Sequence, residues 1–323
     1  MADRNWFRRR AEGQESREDL LERLAFASLV EARRRRRWGN FFKLLGFLYL
    51  SVVLVAWWPR DMEVPTMPTG RYTALVDVRG LIAEETDASA ERVMTALRAA
   101  FEDSHAAGVI VRINSPGGSA VQAGEIYDGI RRLREQHPGK KLYAVITDMG
   151  ASGGYYIASA ADAIYADKAS LVGSIGVVMN SFGFVDAMEK IGVERRLFTA
   201  GEHKALLDPF TPLDPVEADH IRTMLEEIHA QFIDSVKAGR GDRLKDDPQL
   251  FSGLFWSGEQ ALALGLVDGL GSAGYVAREV IGAEKLVDFT VEKDLIDQFL
   301  ERFGLVMANL LWSQGAPGAL LAR

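Results

Sequence analysis

The sequence predicts an α/β fold built on a mainly parallel sheet. Three observations lead there. Segments with strand and helix periodicity alternate from residue 73 onward. The strand segments are apolar nearly throughout, as strands covered on both faces must be. The chain has 323 residues, 48% of them apolar, which is ample for a large core.

The elements follow in order. TALVDVRG (73–80) is strand-like, and ASAERVMTALRAAFED (88–103) repeats its apolar residues at helical spacing. GVIVRI (108–113) is a β-branched strand that runs into the loop NSPGGS (114–119). AGEIYDGIRRLREQ (123–136) is a helix, KLYAVIT (141–147) a strand and GGYYIASAA (153–161) a helix. AIYAD (163–167) and GSIGVVMN (173–180) read as short strands, FVDAMEKIG (184–192) as a helix and VERRLFT (193–199) as a strand. Two helices, 215–240 and 257–265, complete the domain, taken as 72–290. A helical tail occupies 291–323. Its stretch LIDQFLERFGLVMANLLW (295–312) is apolar on one face, suited to its own core, a membrane or another subunit.

Upstream, the charge is uneven. Residues 1–38 hold eleven arginines against seven acids, a surplus of four, so with a total of −7 the remainder carries −11. That balance argues against nucleic acid as a partner. Residues 16–34 read as a short amphipathic helix. Arg33–Arg37 and Trp38 precede FFKLLGFLYLSVVLVAWW (41–58), eighteen residues with one charge, Lys43. At 1.5 Å per residue this run reaches about 27 Å, enough to cross a bilayer core. No small-residue cleavage site follows it, so residues 39–58 are expected to be an uncleaved transmembrane anchor. The arginines place segment 1–38 in the cytoplasm and the rest across the membrane. Three prolines mark 59–71 as a linker.

The chemistry centres on GASGG (150–154), which fits the G-x-S-x-G spacing of a nucleophile elbow. Ser152 is then a nucleophile; the alternative is a serine capping the helix that follows, which asks for the same residue in the same place. A nucleophile needs a base. There are five histidines, none in the last 94 residues, and His220 and His229 fall inside a long amphipathic helix. A Ser-His-Asp arrangement is therefore poorly supported. A neutral lysine can do the same work when desolvation disfavours its charged form. Lys204, in TAGEHKALLDPFTPL (199–213), is such a candidate, with Glu202 and Asp208 near it in sequence. There is no cysteine, which removes thiol chemistry and disulfides, and no metal-ligand cluster is visible.

Four motifs in order, NSPGGS (114–119), MGASGGYYIASAAD (149–162), LVGSIGV (171–177) and TAGEHKALLDPF (199–210), resemble the signal peptide peptidase A family of membrane-anchored serine proteases. FSGLFWSGEQALALGLVDGLG (251–271) resembles that family's later segment. The resemblance covers roughly 72–285. It implies a Clp protease/crotonase-like superhelix of ββα units, with Ser152 as nucleophile and Lys204 as general base. Ser174 would orient the lysine, and Gly117 and Gly118 would supply the oxyanion hole. It further implies no cofactor or metal, and a homo-oligomeric ring or dome in which one subunit's lysine serves its neighbour's serine. The substrates implied are cleaved signal peptides and other unfolded exported segments, met at the outer face of a bacterial inner membrane. The related SohB-like protease and a catalytically inactive membrane scaffold of the same fold are the alternatives.

Overall fold

The computed structural model describes residues 33–53 and 70–291, which belong to two compact units divided between Met67 and Pro68. In the first unit, residues 33–53 form one helix, α1, with the rings of Trp38, Phe41 and Phe42 clustered at centroid distances of 5.7–5.8 Å. Among the described residues no helix is long and apolar enough to cross a membrane. The expected anchor runs on to residue 58, so its last five residues lie outside the described ones. The expected amphipathic helix at 16–34 and the C-terminal tail lie almost wholly outside them too, as does most of the linker.

The second unit is the predicted α/β fold. Its strands are β1 (Tyr72–Arg79), β2 (Ala106–Ser115), β3 (Leu142–Ala151), β4 (Ala163–Ala166), β5 (Leu171–Gly173), β6 (Phe255–Ser257), β7 (Gly269–Leu270) and β8 (Leu286–Asp288). They form one sheet in the order β6-β5-β3-β2-β1-β8, with β4 against β3 and β7 against β4. Every pairing is parallel except β5 with β6. The sheet forks at β3. Tyr143–Ile146 pair with β4 and Met149–Ala151 pair with β5, while the register against β2 shifts between Ile113 and Ser115.

Both faces are covered, which explains the near-continuous apolar strands. Ala74, Val76 and Val78 of β1, with Val111 and Ile113 of β2, face helices α2 (Ala90–Glu102), α3 (Ala120–Gln136) and α4 (Gly153–Ser159) in one buried cluster. Leu75, Ile110 and Val145 point the other way, onto Ala273, Val276 and Ala277. The helix on that side, α8 (Ala273–Tyr275), continues as a π-helical turn, Val276–Ile281. α2 forms because Val93, Met94, Leu97, Ala100 and Phe101 make one buried stripe at helical spacing. The long α6 (Pro215–Arg240) starts where Asp214 accepts the Val216 N–H at 2.7 Å and Pro215 occupies the first turn.

Two expected strands are absent. Residues 174–180 and 193–199 have no regular structure, and only a short helix, α5 (Val185–Lys190), lies between them. Both have strand-like composition but pair with no neighbouring strand, and apart from the buried Ile175 most of their apolar side chains stay exposed, Phe198 at 93%. Strands β6, β7 and β8, each of two or three residues, are too short to show a period. The last helix of the two predicted at the end is shorter than expected, α7 (Gly258–Ala263).

Candidate active site

Three neighbouring parallel strands, β2, β3 and β5, end together. Ser115 pairs with Gly150, and Ala151 with Gly173. The residues that follow are Pro116-Gly117-Gly118, Ser152 and Ser174, so the register alone brings three of the predicted elements to one place. The carboxyl ends of parallel strands are where open α/β sheets collect ligands.

Ser152 has φ 52° and ψ −123°, a left-handed conformation that costs a non-glycine residue about 1–3 kcal/mol. Its N–H donates to the Gly173 carbonyl at 2.8 Å, and its own carbonyl accepts from Tyr156 N–H at 2.9 Å. The side chain caps nothing. Ser119, at the start of α3, shows what a capping serine does: it has φ −61°, ψ 122° and accepts the Gln122 N–H. Ser152 differs in both respects, which removes the capping explanation for its presence. Ser174 shares the positive φ, 52°, and its N–H donates to Leu254 O at 2.8 Å.

The glycine loop lies directly against Ser152. Gly117 has φ 100°, and a Cβ there would stand 2.7 Å from the Ser152 Cβ and 2.8 Å from Gly153 N. Gly118 has φ 150°, and a Cβ there would stand 2.1 Å from Ile82 O. Ile82 grips the loop on both sides: its N–H donates to Gly117 O at 2.9 Å, and its carbonyl accepts from Ser119 N–H at 2.8 Å. The Gly117 N–H is already engaged by Ser115 Oγ at 3.1 Å. Among the described residues, the Gly118 and Gly153 N–H groups have no hydrogen-bond partner. Of the two glycines expected to donate to an oxyanion, Gly118 is therefore the one with a free donor. Gly117 supplies close approach instead. Gly118→Ala is expected to push the loop off Ile82 and cut peptide hydrolysis about a hundredfold or more, measured as kcat/KM on folded protein. Parent-like turnover would remove Gly118 from the site.

Lys204 stands apart from this group. It is exposed, in a series of turns, and its backbone N–H donates to Gly201 O at 3.2 Å. Among the described residues its side chain makes no hydrogen bond or ion pair, and none links it to Ser152 or Ser174. The acid beside it is committed elsewhere. Asp208 accepts from Phe210 N–H and from Arg195 at 2.9 Å each, and these two hold its carboxyl below the usual range. His203 contacts Glu217 at 3.1 Å. One copy of the chain thus brings together Ser152, Ser174, Gly117 and Gly118, but not Lys204.

The sequence reading missed the groups that hold the site. His229 Nε2 lies 3.0 Å from the Ile175 carbonyl, one residue past Ser174, so α6 braces that strand end. Tyr155 donates to Leu266 O at 2.7 Å, and burial pushes its phenol up, keeping it a donor. Tyr156 stacks on Phe232 at 4.7 Å and meets Ser235 Oγ at 2.9 Å. Adjacent tyrosines right after a small-residue elbow were the available signal.

Residues 134–287 match peptidase family S49. A protein of Brucella abortus named Na(+)/H(+) antiporter NhaA is 48% identical over 210 residues, 65% of this chain and 28% of that protein. This chain therefore spans little more than a quarter of that relative. A Synechocystis protein named provisionally as a protease is 34% identical over 204 residues, 63% of this chain and 71% of the relative. Protease 4 of Haemophilus influenzae is 34% identical over 232 residues, 68% of this chain and 37% of its own length.

Proposed function

Given that the chain belongs to peptidase family S49, we propose that it is a serine endopeptidase with a Ser152–Lys204 dyad and a Clp/crotonase-like core. The observation that carries this reading is the left-handed Ser152, uncapped at the end of β3 and in contact with a loop that only glycine can form. Strain held at a half-buried strand end, with no hydrogen bond from the side chain in return, is expected of a nucleophile elbow.

Neutral Lys204 Nζ takes the Ser152 proton as Oγ attacks a peptide carbonyl. The Gly118 and Gly153 N–H groups hold the oxyanion. The lysinium protonates the leaving amine, and water, deprotonated by the same lysine, releases the acyl group. Ser174, next to Ser152 by register, would accept from or donate to the lysine amine and so aim it.

The base comes from a second copy. Lys204 is solvated in the single chain, whereas a general base lysine must lose water to be neutral near pH 7. Phe182 and Phe198 flank its segment at 76% and 93% exposure, and Val178 and Ile191 are similarly bare. Burying that surface against another subunit would desolvate the lysine and complete the site together. The Arg33–Arg37 run ahead of the apolar stretch 41–58 supports a membrane-anchored enzyme with its catalytic domain outside the cytoplasm. Cleaved signal peptides and unfolded exported segments are the substrates it would meet there. The antiporter name of the Brucella relative supports no transport function here, because 72% of that protein lies outside the match.

The test is hydrolysis of an unfolded protein and a synthetic signal peptide by the full-length enzyme in detergent. Lys204→Ala is expected to be inactive and His203→Ala active, with the parent's rate rising toward alkaline pH. Mixing Lys204→Ala with Ser152→Ala, dissociated and reassembled at random, should restore about a quarter of the sites if the lysine crosses an interface. A mixture as dead as its parts would place the lysine in its own chain. An inactive parent would point to a scaffold.

A further inference from the structure

The oxyanion loop is two glycines long, and glycine peptides rotate easily. Something must fix both of its peptide planes. The Gly117–Gly118 plane is fixed from one side: the Gly117 carbonyl accepts from Ile82 N–H at 2.9 Å. The Gly118 N–H belongs to the same trans peptide and so points away from Ile82. The preceding plane, Pro116–Gly117, is fixed by a side chain. Gly117 N–H donates to Ser115 Oγ at 3.1 Å, and Ser115 Oγ–H donates to the Gly80 carbonyl at 2.7 Å. Gly80 lies two residues before Ile82, so one hydroxyl ties the loop to the segment that carries its other anchor. Ser115 is 0% exposed, and a Cβ on Gly154 of α4 would stand 3.3 Å from its Cβ.

We infer that Ser115 is a positioning residue whose hydroxyl locks the glycine loop so that the Gly118 N–H faces the carbonyl oxygen attacked by Ser152. The inference rests on the proposed peptidase reading. The relay spends the Gly117 N–H on structure and leaves the Gly118 N–H for chemistry. Without the hydroxyl, the buried Gly117 N–H is left unpaired and the Gly80 carbonyl, at the exposed end of β1, loses its tie to the loop. Rotation of the Pro116–Gly117 peptide to recover a partner then carries Gly117 away from Ser152 and turns the Gly118 donor off its target.

The effect is confined to the transition state, because a ground-state carbonyl needs no such donor geometry. Full-length Ser115→Ala is therefore expected to lose about 10- to 100-fold in kcat with KM within about twofold of the parent. Labelling of Ser152 by a fluorophosphonate should slow by a similar factor, because that adduct also places an oxygen in the hole. Ser115→Thr, which keeps the hydroxyl, should recover most of the rate. A purely structural role would lower the melting temperature and leave kcat unchanged well below it; that result, on folded Ser115→Ala, overturns the inference. Should the alanine variant lose its cooperative melt, Ser115→Cys carries the same test, since a thiol fills the space but is a weak donor and acceptor. Failure of the parent itself to be labelled at Ser152 would instead sink the peptidase reading beneath it.

Discussion

Ser152→Ala is expected to lower peptide hydrolysis by at least about a thousandfold, to the level left by binding and the oxyanion donors alone. The fold should not suffer, because the Ser152 hydroxyl makes no hydrogen bond among the described residues and caps no helix. Ser152→Gly sharpens the test. Glycine adopts φ 52°, ψ −123° without strain, so this variant should be equally inactive yet no less stable than the parent, and up to about 2 kcal/mol more stable. Activity and thermal melting measured on the same samples decide it. A glycine variant that melts well below the parent would mean the serine is held for packing; one that still turns over would remove it from the chemistry.

The largest effect on stability is expected at Asp268. The Arg240 guanidinium, 1% exposed, donates to Asp268 at 2.6 and 3.0 Å and to Gly265 O at 2.8 and 3.0 Å. Asp268 also accepts from Ile164 N–H at 2.7 Å and from Arg243 at 3.2 Å. This knot pins the end of α6 to β4 and β7. Asp268→Ala leaves a buried guanidinium without its counter-charge, for a loss of about 3–5 kcal/mol. Denaturant unfolding of the single variant and of Arg240→Met/Asp268→Leu checks the reasoning. The apolar pair should cost far less than Asp268→Ala, since replacing both partners removes the stranded charge.

The same knot gives a pH dependence. Burial pushes the Asp268 carboxyl up, but the Arg240 and Ile164 hydrogen bonds and the charges of Arg240 and Arg243 together bring it below its ordinary value. Asp162 follows the same pattern, with Arg134 and Leu142 N–H outweighing burial. A carboxyl whose folded pKa is lowered stabilises the fold above its unfolded pKa of about 3.9 and loses that contribution as pH falls through the folded value. The melting temperature of the parent should fall steeply below about pH 4, and less steeply in Asp268→Ala.

The sheet and the helices on it were legible because their signal is local. Apolar runs such as GVIVRI and the stripe from Val93 to Phe101 carry their partners' positions in their own periodicity. The site was half legible. The G-x-S-x-G spacing around Ser152 and the bare glycines at 117 and 118 are written in residue type and order. The grip of Ile82, the Ser115 relay and the brace from His229 depend on contacts across long stretches of chain, and none of those residue types announces such a role. Residues 174–213 misled for the opposite reason. VERRLFT and GSIGVVMN have strand composition, yet a strand needs a neighbour to bond, and a single copy offers none.

The antiparallel pairing of Gly173 with Phe255 has an evolutionary consequence. Everything from 174 to 254 leaves the sheet and returns to it at one point, between strands about 5 Å apart. Such a stretch is a cassette. It can be lengthened, shortened or exchanged with the register of β1, β2 and β3 untouched, provided the α6 side chains that pack on α4 and the Arg240–Asp268 knot are kept. In the proposed mechanism Ser152 and the glycine loop sit on the chassis, while Lys204 travels with the cassette. A lineage could thus retune which neighbour it docks, and what it cuts, by remodelling one removable piece while the bond-breaking geometry stays put.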